Sequence, residues 1–136
     1  MQPTVTRLAL LLFAAVGLVV GFWAAVLPMS FYSDFPGFRP GWVSADGPFN
    51  EHLVRDVGGM FLALGVLAVG AFVMRTNAVA RLTGLAWLVF GVVHAAYHLL
   101  HLHVFEPVDQ VINAVGLVGL VVLAAVVVFL PARTAQ

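Results

Sequence analysis

The chain has 136 residues, of which 62% are apolar and only 9% are charged, and its formal net charge is zero. Soluble domains carry about 25% charged residues, so this composition excludes an ordinary water-soluble fold, and it equally excludes a disordered chain. A neutral chain has no basic surface for nucleic acid. Cysteine is absent, which excludes disulfides, cysteine-based zinc sites and thiol catalysis.

Four apolar segments are each long enough to cross a membrane, because a hydrocarbon core about 30 Å thick needs roughly 20 helical residues. Backbone groups in lipid must be satisfied within each segment, which favours helices over strands. The segments cover residues 8–27, 51–74, 82–104 and 108–130. We therefore predict an all-α fold, an integral membrane antiparallel four-helix bundle that forms a single domain over residues 1–136.

The arginines predict the orientation of this bundle. Arg7, Arg75, Arg81 and Arg133 flank the spans on one side, which the positive-inside rule makes cytoplasmic, and both termini lie there. The acidic residues and the histidines fall in the opposite half. Arginine without lysine, beside abundant alanine, valine, glycine and leucine, is typical of a GC-rich bacterial genome. We therefore predict a multi-pass protein of a bacterial plasma membrane, in contact with the lipid bilayer, whose polar site faces the extracytoplasmic side.

Two further patterns concern packing and the connection between the first two spans. Gly17 with Gly21, and Gly91 with Ala95, have the spacing of small residues that lets membrane helices approach closely. The outer segment, defined as residues 28–50, is rich in aromatic side chains among Pro and Gly. It is interpreted either as an aromatic belt at the headgroup level or as a lid over the bundle mouth.

Polar side chains of three spans are predicted to meet in the outer half of the bundle, given a helical rise of 1.5 Å per residue. His94, His98 and His101 fall on one stripe of the third span. The predicted shallow layer consists of Glu51, His52, His101 and Asp109. The predicted deeper layer consists of Asp56, His98 and Asn113, and His94 lies below both.

Structural roles explain some of these residues. Glu51 and Asp109 lie in the first turns of helices, where a carboxylate favours the helix dipole, and Glu51 is placed to pair with Arg55. Asp56 is too deep for that effect. A charged aspartate in hydrocarbon costs about 2.5–3.5 kcal/mol unless it is partnered, so a compensating group is expected.

Three interpretations of this cluster are open: a metal site, a haem site and a hydrogen-bonded network. A divalent transition metal such as zinc, iron, manganese or copper is the favoured one, because imidazole and carboxylate groups suit these ions. Its predicted ligands are His94, His98, His101, Asp56, His52 and Glu51, supported by Arg55, Tyr97, Asn113 and Asp109. Haem would take His52 and His98 as axial ligands. The network would join Asp56, His98 and Asn113 and would serve packing or proton movement.

Three runs carry a resemblance, namely FYSDFPG at 31–37, FNEHLVRDVGG at 49–59 and HAAYHLLH at 94–101. With them the chain resembles a group of four-span bacterial membrane proteins and, more loosely, the DoxX-type four-helix family. The resemblance implies the fold and the membrane location, and it brings no activity and no ligand residues.

The function expected from these patterns is metal binding, with metal-dependent hydrolytic or redox chemistry on a lipid or small apolar substrate. Whether the protein is an enzyme stays open, and no catalytic residue is assigned. The chain has no GxSxG motif, so covalent acyl chemistry is not expected. The alternative is a non-catalytic accessory subunit of a larger membrane complex, and a homo-oligomer is also compatible with the sequence.

Overall fold

The computed structural model describes residues 2–130, so Arg133 lies outside the described residues. Within that range the chain is all-helical and has no strand. The α-helices are α1 (Thr4–Val26), α2 (Pro28–Asp34), α3 (Glu51–Met74), α4 (Asn77–Leu100) and α5 (Pro107–Phe129). Short 3-10 turns cover Ser44–Asp46 and Leu102–Val104.

Helices α1, α3, α4 and α5 are long and apolar enough to cross a membrane, and they correspond to the four predicted spans. The predicted third span is too long at its outer end, since α4 stops at Leu100 rather than at 104. The backbone leaves helical geometry at His101, with φ −115° and ψ 19°, and its N–H donates to the carbonyl of His98. His101 therefore follows the helix instead of completing a stripe on it.

The most extensive helix pair is α1 with α3, and glycine makes it close. Gly21 of α1 faces Leu62 of α3, and a Cβ built on Gly21 would lie 2.6 Å from the Leu62 nitrogen. Gly17 meets Gly65 in the same interface. Residues with increasing numbers along α1 therefore meet residues with decreasing numbers along α3. The Gly17–Gly21 pair thus forms a close helix contact, as its spacing predicts.

Across the contact between α4 and α5, residue numbers also increase along one helix while they decrease along the other. A Cβ built on Gly84 would lie 2.8 Å from Cγ1 of Val127, and one on Gly91 would lie 3.2 Å from Cγ2 of Val121. Between the two helix pairs, Trp87 stacks on Phe13 with ring centroids 4.7 Å apart. These rings form the centre of the apolar core.

The two ends of the bundle differ. At the end we call the inner end, Gln2 Nε2 donates to the carbonyls of Ala71 and Thr76 at 3.1 Å, which ties the start of the chain to the α3–α4 link. The Arg7 guanidinium lies 4.2 Å above the Phe72 ring at this end. The opposite, outer end holds the outer segment and the α4–α5 link.

Candidate functional site

The outer segment, which includes α2, does more than connect α1 to α3. Its residues 35–42 form a loop closed by the Trp42 N–H, which donates to the carbonyl of Phe35 at 3.1 Å. Gly37 and Gly41 have φ of 94° and 95°, a left-handed conformation that glycine adopts without strain. The two glycines bracket Arg39 and let the loop present it at its tip.

Arg39 binds Asp109 in the first turn of α5. The Arg39 Nη2 donates to Asp109 Oδ2 at 3.1 Å, and Nε donates to Oδ1, so the pair is bidentate. The Asp109 side chain is only 12% exposed. The hydrogen bond to Asp109 and its negative charge raise the pKa of the Arg39 guanidinium, which stays a cation. This contact fastens the outer segment to α5.

The Trp42 indole lies beside this ion pair. Its ring is 6.1 Å from Phe38 and 6.0 Å from Phe105, measured between centroids. The indole also approaches the Asp109 carboxylate. Its Nε1 is nevertheless buried without a hydrogen-bond partner in normal geometry among residues 2–130.

A second contact joins the outer segment to α4. Tyr97 Oη donates to Asp46 Oδ1 at 3.4 Å, and the Tyr97 ring stacks on His101 with centroids 4.3 Å apart. Of the two interpretations of the outer segment, these contacts favour a lid, because the segment lies over the outer ends of α4 and α5.

Arg39, Trp42 and Asp46 are absent from the predicted site. For Arg39 and Asp46 the sequence signal is their charge within an aromatic, Pro- and Gly-rich stretch, whereas Trp42 is one aromatic residue among several. Periodicity cannot indicate where a loop residue points, so their partners on α4 and α5 could not be assigned from sequence.

His94 and His98 form the closest histidine pair, with ring centroids 4.6 Å apart on successive turns of α4. The His94 ring also stacks on Phe90. The Nδ1 atom of His98 is buried and lacks a hydrogen-bond partner within the described chain. Asn113 of α5 is only 6% exposed, and its Oδ1 is likewise buried without a partner in that range.

The packing register places the two residues that carry these atoms at the same level of the α4–α5 pair. Gly84 of α4 meets Val127 of α5. His98 lies two heptads after Gly84, and Asn113 lies two heptads before Val127. A heptad returns to the same face of a straight helix with a drift of about 20°. Over two heptads this drift is about 40°, so His98 and Asn113 lie at the same level and near the α4–α5 contact face of their helices.

The α3 residues of the predicted site lie elsewhere. The prediction that Asp56 is buried is wrong: its side chain is 63% exposed, and Oδ2 is 3.2 Å from Nε2 of His52, which is 87% exposed. The buried face of α3 runs through Val54 and Gly58, which turns position 56 away from the bundle. The predicted Glu51–Arg55 pair is confirmed, with Arg55 Nε donating at 2.9 Å.

The six predicted ligands are not gathered at one point. In the part of the chain that the structure describes, no three His, Asp or Glu side chains are grouped closely enough to hold a metal ion. His52 bonds to Asp56 on its own helix, while His98 lies at the α4–α5 interface. A metal or haem role for these residues stays a prediction.

Four helices that are long and apolar enough to cross a membrane indicate the class of multi-pass helical membrane proteins. The chain matches no protein-family model, no curated protein and no solved structure. The resemblance to the DoxX-type family stays a prediction from short motifs.

Proposed function

We propose that the four spans form an antiparallel bundle in a bacterial plasma membrane, with both termini cytoplasmic and the polar site extracytoplasmic. The reversed order of the α1–α3 and α4–α5 contacts supports this arrangement. Arg7, Arg75 and Arg81 lie toward the inner end, whereas the six acidic residues of the chain lie toward the outer end. Such an excess of arginine is typical of the cytoplasmic side.

Because the chain lacks cysteine, single cysteines report this topology directly. Ala45 in the outer segment and Thr76 in the α3–α4 link are both exposed. We expect Ala45→Cys to react with a membrane-impermeant maleimide in intact cells, and Thr76→Cys to react only after permeabilisation. The reverse pattern would contradict the orientation.

We further propose that the site binds a divalent transition metal ion between α4 and α5. The observation that carries this proposal is the pair of buried, unpartnered atoms, His98 Nδ1 and Asn113 Oδ1, among the described residues. Buried polar atoms are nearly always hydrogen-bonded, and leaving one unsatisfied costs about 1–3 kcal/mol. A cation between an imidazole nitrogen and an amide oxygen would satisfy both atoms.

Further nitrogen and oxygen donors lie near this pair, and since no three His, Asp or Glu side chains are grouped closely among residues 2–130, their side chains would have to rotate toward a bound ion. His94 lies one turn from His98 with its ring 4.6 Å away, and Asp46 adds a carboxylate held beside Tyr97. Nitrogen and oxygen donors of this kind suit zinc, iron or copper. His101, stacked on Tyr97, is the next candidate. Asp56, His52 and Glu51 have less support as ligands, because they bond to partners on their own exposed helix face.

A bound ion would supply Lewis-acid or redox chemistry at the outer membrane surface. The neighbouring side chains would then serve to orient a substrate and to exclude water. We propose that the substrate, if the protein is catalytic, is a lipid or a small apolar molecule, because such molecules concentrate in the bilayer that the four apolar spans would enter.

Metal binding by the purified protein tests the proposal. Zinc affinity and metal content are measured for the wild type, His98→Ala and Asn113→Leu, with Asp56→Ala and His52→Ala as exposed controls. We expect His98→Ala and Asn113→Leu to weaken binding roughly tenfold or more, as loss of ligands or their supports does, and the controls to bind as the wild type. Leucine has the same branched heavy-atom skeleton as asparagine, so Asn113→Leu removes the oxygen donor and keeps the overall shape of the side chain.

Several outcomes would contradict this assignment. Unchanged binding in His98→Ala would exclude the α4–α5 site, and a loss confined to Asp56→Ala would move the site to α3. A Soret band in the absorption spectrum would indicate haem instead. Absence of bound metal together with co-purification of a larger membrane complex would favour the accessory-subunit function.

A further inference from the structure

We infer that the outer segment is a cover, latched by the Arg39–Asp109 ion pair, that controls access to the α4–α5 site from the outer side. This inference rests on the proposed function for the identity of the site, but the closure itself is independent of any metal. The cover consists of two anchors on different helices, the Trp42 side chain between them, and a base around Phe31 that stays in place.

The two anchors lie on either side of Trp42. Arg39 binds Asp109 on α5, and Asp46 accepts a hydrogen bond from Tyr97 on α4. The stretch between the anchors therefore bridges the outer ends of the two helices whose interface holds His98 and Asn113. Release of either anchor frees one side of the bridge.

The base of the cover is held differently from its tip. Phe31 in α2 is 6% exposed and packs with Ala24 of α1 and Val54 of α3. At the tip, Phe38 is 67% exposed and Arg39 is 42% exposed. Segments with few buried contacts open at low free energy, so the tip opens while the base stays in place.

Polar side chains of α5 follow one another inward from the latch. Asn113 follows Asp109 by one helical turn, and residues four apart share a helix face. The Trp42 indole lies beside Asp109, and its Nε1 is buried without a hydrogen-bond partner in normal geometry within residues 2–130. Opening of the latch therefore uncovers Asp109 first and then the Asn113–His98 level.

Accessibility of the histidines to diethyl pyrocarbonate tests the cover on metal-free protein. Labelling rates are measured for each histidine by mass spectrometry in the wild type and in Arg39→Gln. We expect Arg39→Gln to raise the labelling rate of His98 about 5- to 30-fold. That factor is the increase in the open population when the closed state loses about one or two kcal/mol of stability. The exposed His52 and His103 are internal references and should label equally in both proteins.

The matched control is Arg55→Gln, which removes an exposed ion pair at the same end, namely that of Arg55 with Glu51. It should leave the His98 rate unchanged, whereas Asp109→Asn should raise it. If Arg39→Gln fails to fold, as circular dichroism would reveal, Tyr97→Phe removes the second anchor without a change of charge and should also raise the rate.

If His98 is labelled at the same rate in folded wild type, Arg39→Gln and Tyr97→Phe, the proposal that the outer segment covers this site is contradicted. Rapid labelling of His98 in the wild type, at the rate of His52, would overturn it as well. Because no metal is present, these outcomes are separate from failure of the proposed metal binding, which the zinc titration alone decides.

Discussion

Gly17 of α1 lies so close to Gly65 of α3 that a Cβ built on Gly17 would be 2.6 Å from the Gly65 Cα. Real Cβ atoms essentially never come within 3.0 Å of another heavy atom in this way. The obstacle is backbone rather than a side chain that could rotate aside. Association of membrane helices depends on such close packing, so this contact determines how near α1 approaches α3.

Gly17→Ala is expected to destabilise the α1–α3 pair by about 1–3 kcal/mol, the usual cost of overpacking. Gly70→Ala on α3 is the control, because its Cβ would meet nothing within 4 Å among the described residues. It should be neutral or stabilise by up to about 1 kcal/mol, the difference in helix propensity. Denaturant titration in detergent measures both, and equal stabilities for the two variants would contradict this explanation.

The helices could be predicted from sequence because apolar length and small-residue spacing are local properties. Helix α3 has the predicted bounds Glu51–Met74, and the Gly17–Gly21 pattern forms a close contact. The outer end of α4 was overestimated. Apolar residues continue past Leu100, but the chain turns there to reach Pro107, so hydropathy alone gave no signal of the end.

The site could be predicted only in part. Asn113 and His98 lie at the expected level, but Asp56 does not point toward them. The orientation of α3 depends on its glycine contacts with α1, which hydropathy does not reveal. The ion pair between Arg39 and Asp109 depends on the path of a loop, and loop paths follow from tertiary contacts rather than from a repeating pattern.

The Trp87 ring carries much of the packing between the two helix pairs. It is 2% exposed, stacks on Phe13 and donates its N–H to the Leu64 carbonyl at 3.4 Å. Trp87→Ala should cost about 3–5 kcal/mol, typical of a large aromatic core deletion, and Trp87→Phe should cost less. Phe22, which is 58% exposed on α1, is the control. Unfolding in detergent is the measurement, and a cost for Phe22→Ala as large as that for Trp87→Ala would count against a special role of Trp87.

The energetic coupling between Arg39 and Asp109 should exceed that of an exposed pair. A double-mutant cycle of Arg39→Gln and Asp109→Asn is expected to give 0.5–3 kcal/mol, roughly the range for residues in direct contact. The same cycle on Glu51 and Arg55, whose side chains are 58% and 46% exposed, should give about 0.3–0.5 kcal/mol. Coupling energies that do not differ would show that burial of Asp109 adds nothing to its bond with Arg39.

Hydrogen bonds from two serines set the titration of Asp34 in α2. Ser30 Oγ and Ser33 Oγ each donate to this carboxylate at 2.8 Å, and these bonds lower the pKa of Asp34. Because the folded-state pKa of Asp34 lies below its unfolded value, ionised Asp34 stabilises the fold at pH values above the ordinary aspartate pKa of about 4. This contribution is lost as the pH falls through the lowered pKa.

Carboxyl NMR titration should therefore give Asp34 a pKa below that of an unfolded reference peptide. Ser30→Ala should raise this pKa, because it removes the bond that contributes most. Ser44→Ala is the matched control, since the Ser44 hydroxyl donates to the Gly41 carbonyl and not to Asp34. The same Asp34 pKa in Ser30→Ala and Ser44→Ala would mean that the Ser30 hydroxyl does not hold the carboxylate in solution.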